Sequence, residues 1–409
     1  MTIRTVPPTL VQRACRALMV RAMRSLRTGT LTVTEPGRRR DVFGGTGPGP
    51  AGEITVLDPA FYSKAALGGD VGFGESYQDG DWTTPDLTAV LSVFAANLRH
   101  FDDRSMRLTL PVRLANAVRH RLRPNSQTGS RRNIREHYDL GNDFYAKFLD
   151  RTMMYSCAIH RSPDQTLEQA QLEKIGAMAD LARIDAGCHV LEIGTGWGGF
   201  AIETARRTGC RVTTVTISEE QHRMATARVH EAGLGDRVEV RLCDYRDLEG
   251  SFDRIVSIEM LEAVGHKYLP AFFRTCDRLL KPGGLLALQV ITIPDQRYEA
   301  YRSGCDWIQK HVFPGGFLPS LGALCAAARD HSHFVVERLE NIGPHYATTL
   351  REWRRRFDAG WPEIREMGFD ERFRRTWDYY FAYCESGFAE RVIGTLQLVM
   401  ARPERPGAG

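Results

Sequence analysis

Short apolar runs and amphipathic stretches alternate along this chain from Asn133 onward. The runs near 188–193, 210–216, 237–242, 252–258 and 284–291 are rich in Val, Ile and Leu and end in turn residues. That pattern predicts strands buried on both faces. Stretches of helical spacing lie between them, so the expected fold is α/β, a doubly wound parallel sheet. A helical insertion is expected over about 295–332, and Thr395–Ala401 reads as a final antiparallel strand.

The pattern upstream is different. Leu10, Ala14, Leu18 and Ala22 recur at helical spacing, with Arg13, Arg16, Arg21, Arg24 and Arg27 between them. This predicts a basic amphipathic helix over Thr9–Arg27. Such a helix either packs within a small domain or rests on a membrane interface, where apolar burial and anionic lipid both hold it. Thr30–Thr34 alternates like a strand, and 38–52, rich in Arg, Gly and Pro, reads as a loop. Residues 54–98 read as a compact α/β unit with a helix over Pro85–Leu98 and tight turns at Gly68, Gly69, Gly72, Gly74 and Gly80. The basic stretch 113–135 reads as a linker. The expected division is a smaller N-terminal α/β domain over 1–120, a basic linker over 121–132 and a larger domain over 133–405.

Composition narrows the class. With 409 residues, 43% hydrophobic and 25% charged, the chain is ordinary globular material for two or three domains. The net charge of +4 conceals an asymmetry: residues 1–135 hold 20 Lys and Arg against 11 Asp and Glu. A basic N-terminal third is a candidate surface for an anionic partner. The nine cysteines are scattered, without a C-x-x-C pair or a His/Cys cluster. No metal site or disulfide framework is expected, and a reducing cytoplasm is. Leu10–Leu26 is broken by arginines and does not read as a signal peptide, and no apolar run approaches the roughly 18 residues of a spanning helix.

The densest candidate chemistry is Val190–Ala201, V-L-E-I-G-T-G-W-G-G-F-A: a buried strand, a glycine turn and a helix start. Gly194, Gly196 and Gly199 fit G-x-G-x-x-G, which suits a dinucleotide or S-adenosylmethionine. A nicotinamide enzyme places an acid about 20 residues after the glycines, to hold a ribose. That place is Thr216 here, which favours S-adenosylmethionine. Ligands of such sheets bind beyond the carboxyl ends of the strands. Gly194, Thr216, Asp244, Glu259 and Gln289 all sit at or just past those ends.

Several ordered motifs then resemble one family, the cyclopropane-fatty-acyl-phospholipid synthases and their mycolic-acid relatives. They are Gly74-Glu75-Ser76-Tyr77 with Asp79-Gly80-Asp81-Trp82, His137–Tyr145, Met154–Ala158, the glycine turn, Cys243–Asp247, Phe313–Gly316 with Leu318-Pro319-Ser320, Tyr346, Tyr379-Tyr380 and Cys384. The resemblance implies a Rossmann-like class I methyltransferase domain with a helical lipid-site insertion. It implies methyl or methylene transfer from S-adenosylmethionine to the cis double bond of an unsaturated phospholipid acyl chain. A neighbouring branch of the family makes methylene- or methyl-branched chains. The implied setting is cytoplasmic, peripherally associated with the anionic inner face of a membrane, and a homodimer stays open. A cofactor-fold protein that binds lipid without catalysis is the rival of another class. A nucleic-acid partner is not expected, because no N-P-P-Y motif is present.

By the same resemblance, Tyr155 and Ser156 contact the cofactor, and Val190, Glu192, Gly194, Thr195, Gly196, Trp197 and Gly198 cradle it. Thr216, Ile217, Ser218 and Gln221 hold the ribose side, and Tyr245 and Arg246 flank the adenine. Cys157, Glu262, Gln289, Ile291 and Tyr346 surround a small bicarbonate that acts as base, and His137–Tyr145 closes over the cofactor. Cys384 matches an active-site cysteine, although with Tyr380 and Phe388 at i−4 and i+4 it also reads as core, and at most as pocket wall. Two departures stand out. Better-known relatives carry Glu-His where this chain has Glu262-Ala263, and His-Thr-Ile where it has Gln289-Val290-Ile291.

Overall fold

The computed structural model describes residues 7–35, 37, 40–45, 47–98 and 140–404. The linker over 121–132 and the start of the expected lid, His137 to Asp139, lie outside them. The described chain forms two compact units.

The first unit holds the described residues of Met1–Leu122 together with Ala300–Pro314 and Asp358–Val392. It is built on a four-stranded sheet of order β2-β1-β3-β4, with β1 Thr28–Thr34, β2 Arg40–Gly44, β3 Gly47–Val56 and β4 Trp82–Thr83. The stretch 38–52, expected as a loop, therefore contributes strands. β2 and β3 flank β1 and satisfy its backbone on both sides, which outweighs the low strand propensity of their glycines and prolines. Helix α1 (Leu10–Met23) opens on a capping box in which Thr9 and Gln12 bond reciprocally.

Helix α2 (Ala60–Gln78) corrects a second expectation. Gly68, Gly69, Gly72 and Gly74 lie inside it, and among these only Gly69, at φ +62°, marks a kink, whereas Gly80 does turn, at φ +79°. Gly74 is glycine for lack of room: a Cβ there would lie 2.5 Å from the Trp307 ring and 2.9 Å from Tyr379. These aromatics come from α10 (Trp307–His311) and α14 (Glu371–Ala389), segments distant in sequence but part of this unit. Arg375 of α14 donates to the carbonyls of Tyr77 and Trp82, with its guanidinium 3.9 Å from the Tyr77 ring centre. Tyr77 donates to Asp378, Gln78 to Thr376, and Glu75 pairs with Lys310 and His311. The unit expected to span 1–120 is thus completed by two later segments. The G-E-S-Y-Q-D-G-D-W run is where they attach.

The second unit holds a seven-stranded sheet of order β10-β11-β9-β8-β5-β6-β7. Its strands are β5 His189–Ile193, β6 Arg211–Thr216, β7 Val238–Leu242, β8 Phe252–Ile258, β9 Leu280–Thr292, β10 Val335–Asn341 and β11 Gly394–Ala401. β5 to β9 are parallel, and β11 runs antiparallel between β9 and β10. β10 was not foreseen; all seven of its residues are exposed, so no apolar alternation announces it. Helices α5 (Leu167–Leu181), α6 (Gly199–Thr208), α7 (Glu219–Glu231) and α8 (Leu269–Leu279) fall between the parallel strands or precede them. α4 (Asn142–Ala146) and α11 (Leu321–His331) belong to this unit, α9 (Asp295–Arg302) and α12 (Gly343–Ala359) begin in it and end in segments of the first unit, and α3 (Leu87–Ala96) and α13 (Trp361–Glu366) belong to the first unit. Val190, Val212, Val256, Ala287 and Phe200 are fully or almost fully buried in its core.

Gly74→Ala should destabilise the first unit. In a helix interior this change normally gains about 0.5–1 kcal/mol. Here the added methyl overpacks against two rings, at about 1–3 kcal/mol. Urea unfolding followed by tryptophan fluorescence measures the sign.

Candidate active site

β5 ends at Ile193, and the chain then turns through Gly194 (φ +104°), Gly196 (φ +51°) and Gly198 (φ +83°) into α6. Positive φ is nearly free only for glycine. The Gly194 and Thr195 amides donate to Val215 O, which ties the turn to β6. A Cβ added at Gly196 would meet nothing within 4 Å, so the backbone faces open space there. The turn has the shape of a cradle for a ligand that approaches the main chain.

The segment from Tyr155 to Cys157 runs beside it. Gln171 of α5 donates to Ser156 O at 2.9 Å and Lys174 to Ser156 Oγ at 2.6 Å. Tyr155 packs among Tyr145, Phe148 and Trp353. On the other side, Thr216 Oγ1 donates to Gln221 Oε1 at 2.9 Å and Ser218 caps α7, with Ile217 between them. Arg246 grips Asp244 through two bonds, and Tyr245 packs edge-on against Phe272. Glu192 is 3% exposed and accepts from Thr214, which also bonds Thr195. Two residues expected in the cradle are committed elsewhere. Val190 is a fully buried core side chain within β5, and the Trp197 indole donates to Asn142 at 2.7 Å.

The oxyanion group assembles around a residue that was read only as lying at a strand end. Glu259 follows β8 at φ +50°, an uncommon conformation for a side-chain-bearing residue. Its carboxylate accepts from the Cys157 amide at 2.9 Å, Gln289 Nε2 at 2.9 Å and Tyr346 Oη at 2.6 Å. Gln289 also donates to Cys157 O at 3.1 Å and accepts from Gln397, its cross-strand partner on β11, at 3.0 Å. Glu262 Oε1 accepts from the Ile291 amide at 2.5 Å, while its buried Oε2 finds no partner among the described residues. The structure thus brings Cys157, Glu262, Gln289, Ile291 and Tyr346 together. Of the donors expected to surround bicarbonate, the Cys157 amide, Gln289 and Tyr346 are engaged by the Glu259 side chain and the Ile291 amide by Glu262, so these residues do not fit a separate bicarbonate. Cys384 belongs to the first unit, on α14, where burial raises its thiol well above the ordinary range and argues against a nucleophile. Cys157, fully enclosed, is raised likewise.

Burial dominates the electrostatics. It pushes Glu192 up to about 8, with Thr214 and Lys174 opposing, and Glu262 up to about 8, with Glu259 adding to the rise. Glu259 is also raised by burial, and its donors from Tyr346, Gln289 and Cys157 hold part of that back.

The strand order, the glycine turn and the neighbouring segments define a class I S-adenosylmethionine-dependent methyltransferase, and the solved structures of that class superpose on this one. The chain matches the model of the mycolic acid cyclopropane synthetase family over residues 125–398, and it belongs to that family. It is 43% identical over 345 residues to the tuberculostearic acid methyltransferase of Mycobacterium tuberculosis, covering 83% of this chain and 80% of that one. It is 40% identical over 359 residues to the cyclopropane-fatty-acyl-phospholipid synthase of Escherichia coli, covering 87% and 89%. The cyclopropane synthase MmaA2 from Mycobacterium tuberculosis superposes with a TM-score of 0.62 at 28% identity, over 66% of this chain and 98% of its own. The mycolic acid cyclopropane synthase CmaA1, solved with SAH and CTAB, gives 0.61 at 30% identity, over 66% and 97%. The chain is an S-adenosylmethionine-dependent methyltransferase.

Gly196→Val should abolish measurable S-adenosylhomocysteine binding in calorimetry. The branched side chain would enter the open space, and φ +51° adds about 1–3 kcal/mol of strain. A second expectation concerns pH. A carboxyl that holds its proton more tightly when folded contributes stability that is full below its ordinary value of 4.5 and is lost as pH rises towards 8. The melting temperature should fall between pH 5 and 8, and Glu192→Gln should flatten that slope.

Proposed function

We propose that this enzyme methylates the cis double bond of an unsaturated acyl chain in a membrane phospholipid, with the Glu259 carboxylate taking up the proton lost afterwards. The observation that carries this reading is the Glu259 carboxylate held by Cys157, Gln289 and Tyr346. Bound S-adenosylmethionine supplies a methyl on a positively charged sulfur. The alkene's π pair forms the new C–C bond as the methyl–sulfur bond breaks, and the neighbouring carbon is left cationic. Water would quench that cation, so the site must be dry. Tyr346, 4% exposed and edge-on to Trp353, offers a ring face to positive charge.

The product follows from the order of two events. If a hydride shifts with its pair from the methylated carbon, the charge moves to the more substituted carbon. Glu259 then takes a proton from the methyl, and the C–H pair becomes a methylene double bond. If the proton leaves before any shift, the same pair closes a cyclopropane ring. Glu259 is a restrained base: burial raises its proton affinity and three donors hold it back. The likeness to a tuberculostearic acid methyltransferase supports the branched-chain product. Ring closure is the second reading, supported by the likeness to a cyclopropane-fatty-acyl-phospholipid synthase.

The lipid surface falls to α1. Leu10, Val11 and Leu18 are exposed at 82%, 59% and 41%, and Arg13, Arg21, Arg24 and Arg27 are exposed as well. Arg16 is not available, since it pairs with Glu35 and Asp41. On this reading the enzyme works on the anionic inner face of a membrane. Among the described residues no helix is long and apolar enough to cross one.

Glu259→Gln should cut lipid methylation by at least about 100-fold, the scale of a lost general base. S-adenosylhomocysteine affinity should stay unchanged. Added bicarbonate should not stimulate the wild type. Gas chromatography of host lipids should show methylene-branched chains; cyclopropane chains would instead establish the second reading, and full activity of Glu259→Gln would remove Glu259 from the chemistry. Vesicle sedimentation should rise with anionic lipid, fall with salt, and weaken in Leu10→Ser with Leu18→Ser.

A further inference from the structure

Arg228, on α7, is a half-buried cation that the chemistry above makes no use of. Among the described residues it forms no ion pair with a carboxylate. Its guanidinium donates instead to three main-chain carbonyls, to Trp197 O at 2.5 Å, to Arg151 O at 2.8 Å and to Thr152 O at 3.2 Å. Burial lowers its proton affinity, while Asp150, Glu203 and Glu231 face it and hold it up. A guanidinium stays charged under these conditions, and its planar fork presents several donors in fixed directions. Hydrogen bonds from such a donor are stronger than those between neutral groups.

The three carbonyls belong to two segments. Trp197 lies in the glycine turn, between Gly196 and Gly198, and its indole is fixed by Asn142 and packs against Tyr145. Arg151 and Thr152 come just before Tyr155 and Ser156, and Asp150 holds the Thr152 amide and hydroxyl. A second contact keeps the two segments close. A Cβ at Gly199 would lie 2.4 Å from Thr152 O and 2.9 Å from Met154 Sδ. The missing Cβ admits the Thr152 carbonyl, and Arg228 bonds it there. We propose that Arg228 is a positioning residue for S-adenosylmethionine, fixing the distance between the Tyr155–Ser156 segment and the Gly194–Gly198 turn through their carbonyls. The proposal rests on the cofactor lying between these segments and is independent of the lipid product.

Calorimetry with S-adenosylhomocysteine on the full chain, well below the melting temperature, separates affinity from the fraction of chains that bind. Arg228→Met keeps the apolar stem and removes every donor. It should weaken affinity by about 10- to 100-fold, the scale of one lost hydrogen bond from a charged group, with one ligand still bound per chain. Arg228→Lys, a charged head without the fork, should fall between that variant and the wild type. Gly199→Ala displaces the Thr152 carbonyl from the other side and should also weaken affinity; it carries the test if Arg228→Met does not fold. Unchanged affinity in Arg228→Met, or fewer binding chains at wild-type affinity, would make Arg228 a support of the fold alone and overturn the proposal. Unchanged affinity in Gly196→Val would instead contradict the placement of the cofactor at the turn.

Discussion

The Glu259 carboxylate, half-buried and held by three donors from three parts of the chain, is the constraint around which the catalytic unit is arranged. An enclosed carboxylate without partners costs far more than any single hydrogen bond returns. The Cys157 segment, β9 and α12 must therefore converge within hydrogen-bond distance of one group. This also explains Gln289. Its amide donates twice, to Glu259 and to Cys157 O, and accepts once from Gln397. A neutral imidazole offers one donor and one acceptor and cannot make all three bonds. The glutamine is therefore suited to a carboxylate built into the chain, which it serves together with Cys157 O and Gln397.

Charge is concentrated here beyond what stability alone favours. Glu192, Glu259 and Glu262 are all raised by burial, and Lys174 is lowered by it. The positive φ at Glu259 adds backbone strain. Such costs persist where the surrounding packing over-determines the geometry, and they gather at sites with chemistry to do. The desolvation that makes the acids costly also excludes the water that would destroy a cation on a lipid chain.

The first unit shows one motif serving assembly. Glu75, Tyr77, Gln78 and the Trp82 carbonyl all bind residues of α10 or α14. The motif reads as a family mark in the sequence, and its physical content is a socket for two segments that arrive more than 200 residues later. α1 has the opposite character, because the Leu10–Ala14–Leu18 stripe that predicted a helix is the face left outward.

Much was determined by local sequence alone. The five parallel strands, the closing strand β11 and the glycine turn were legible because apolar runs and turn residues act over short spans, whereas the group of Cys157, Glu262, Gln289, Ile291 and Tyr346 was implied by the family resemblance. Glu259 was visible as an acid at a strand end, but nothing local shows that its side chain takes the donors expected for a free anion. Nothing local marks Gln397 as the partner of Gln289, because that pairing is made across the sheet. The glycines of α2 looked like turns because the ring above Gly74 lies far along the chain. The short exposed strand β10 lacked any pattern. These outcomes were decided by the tertiary structure, since they depend on which groups from distant segments meet in a space without water, where hydrogen-bond partners are few and a charge's neighbours set its state.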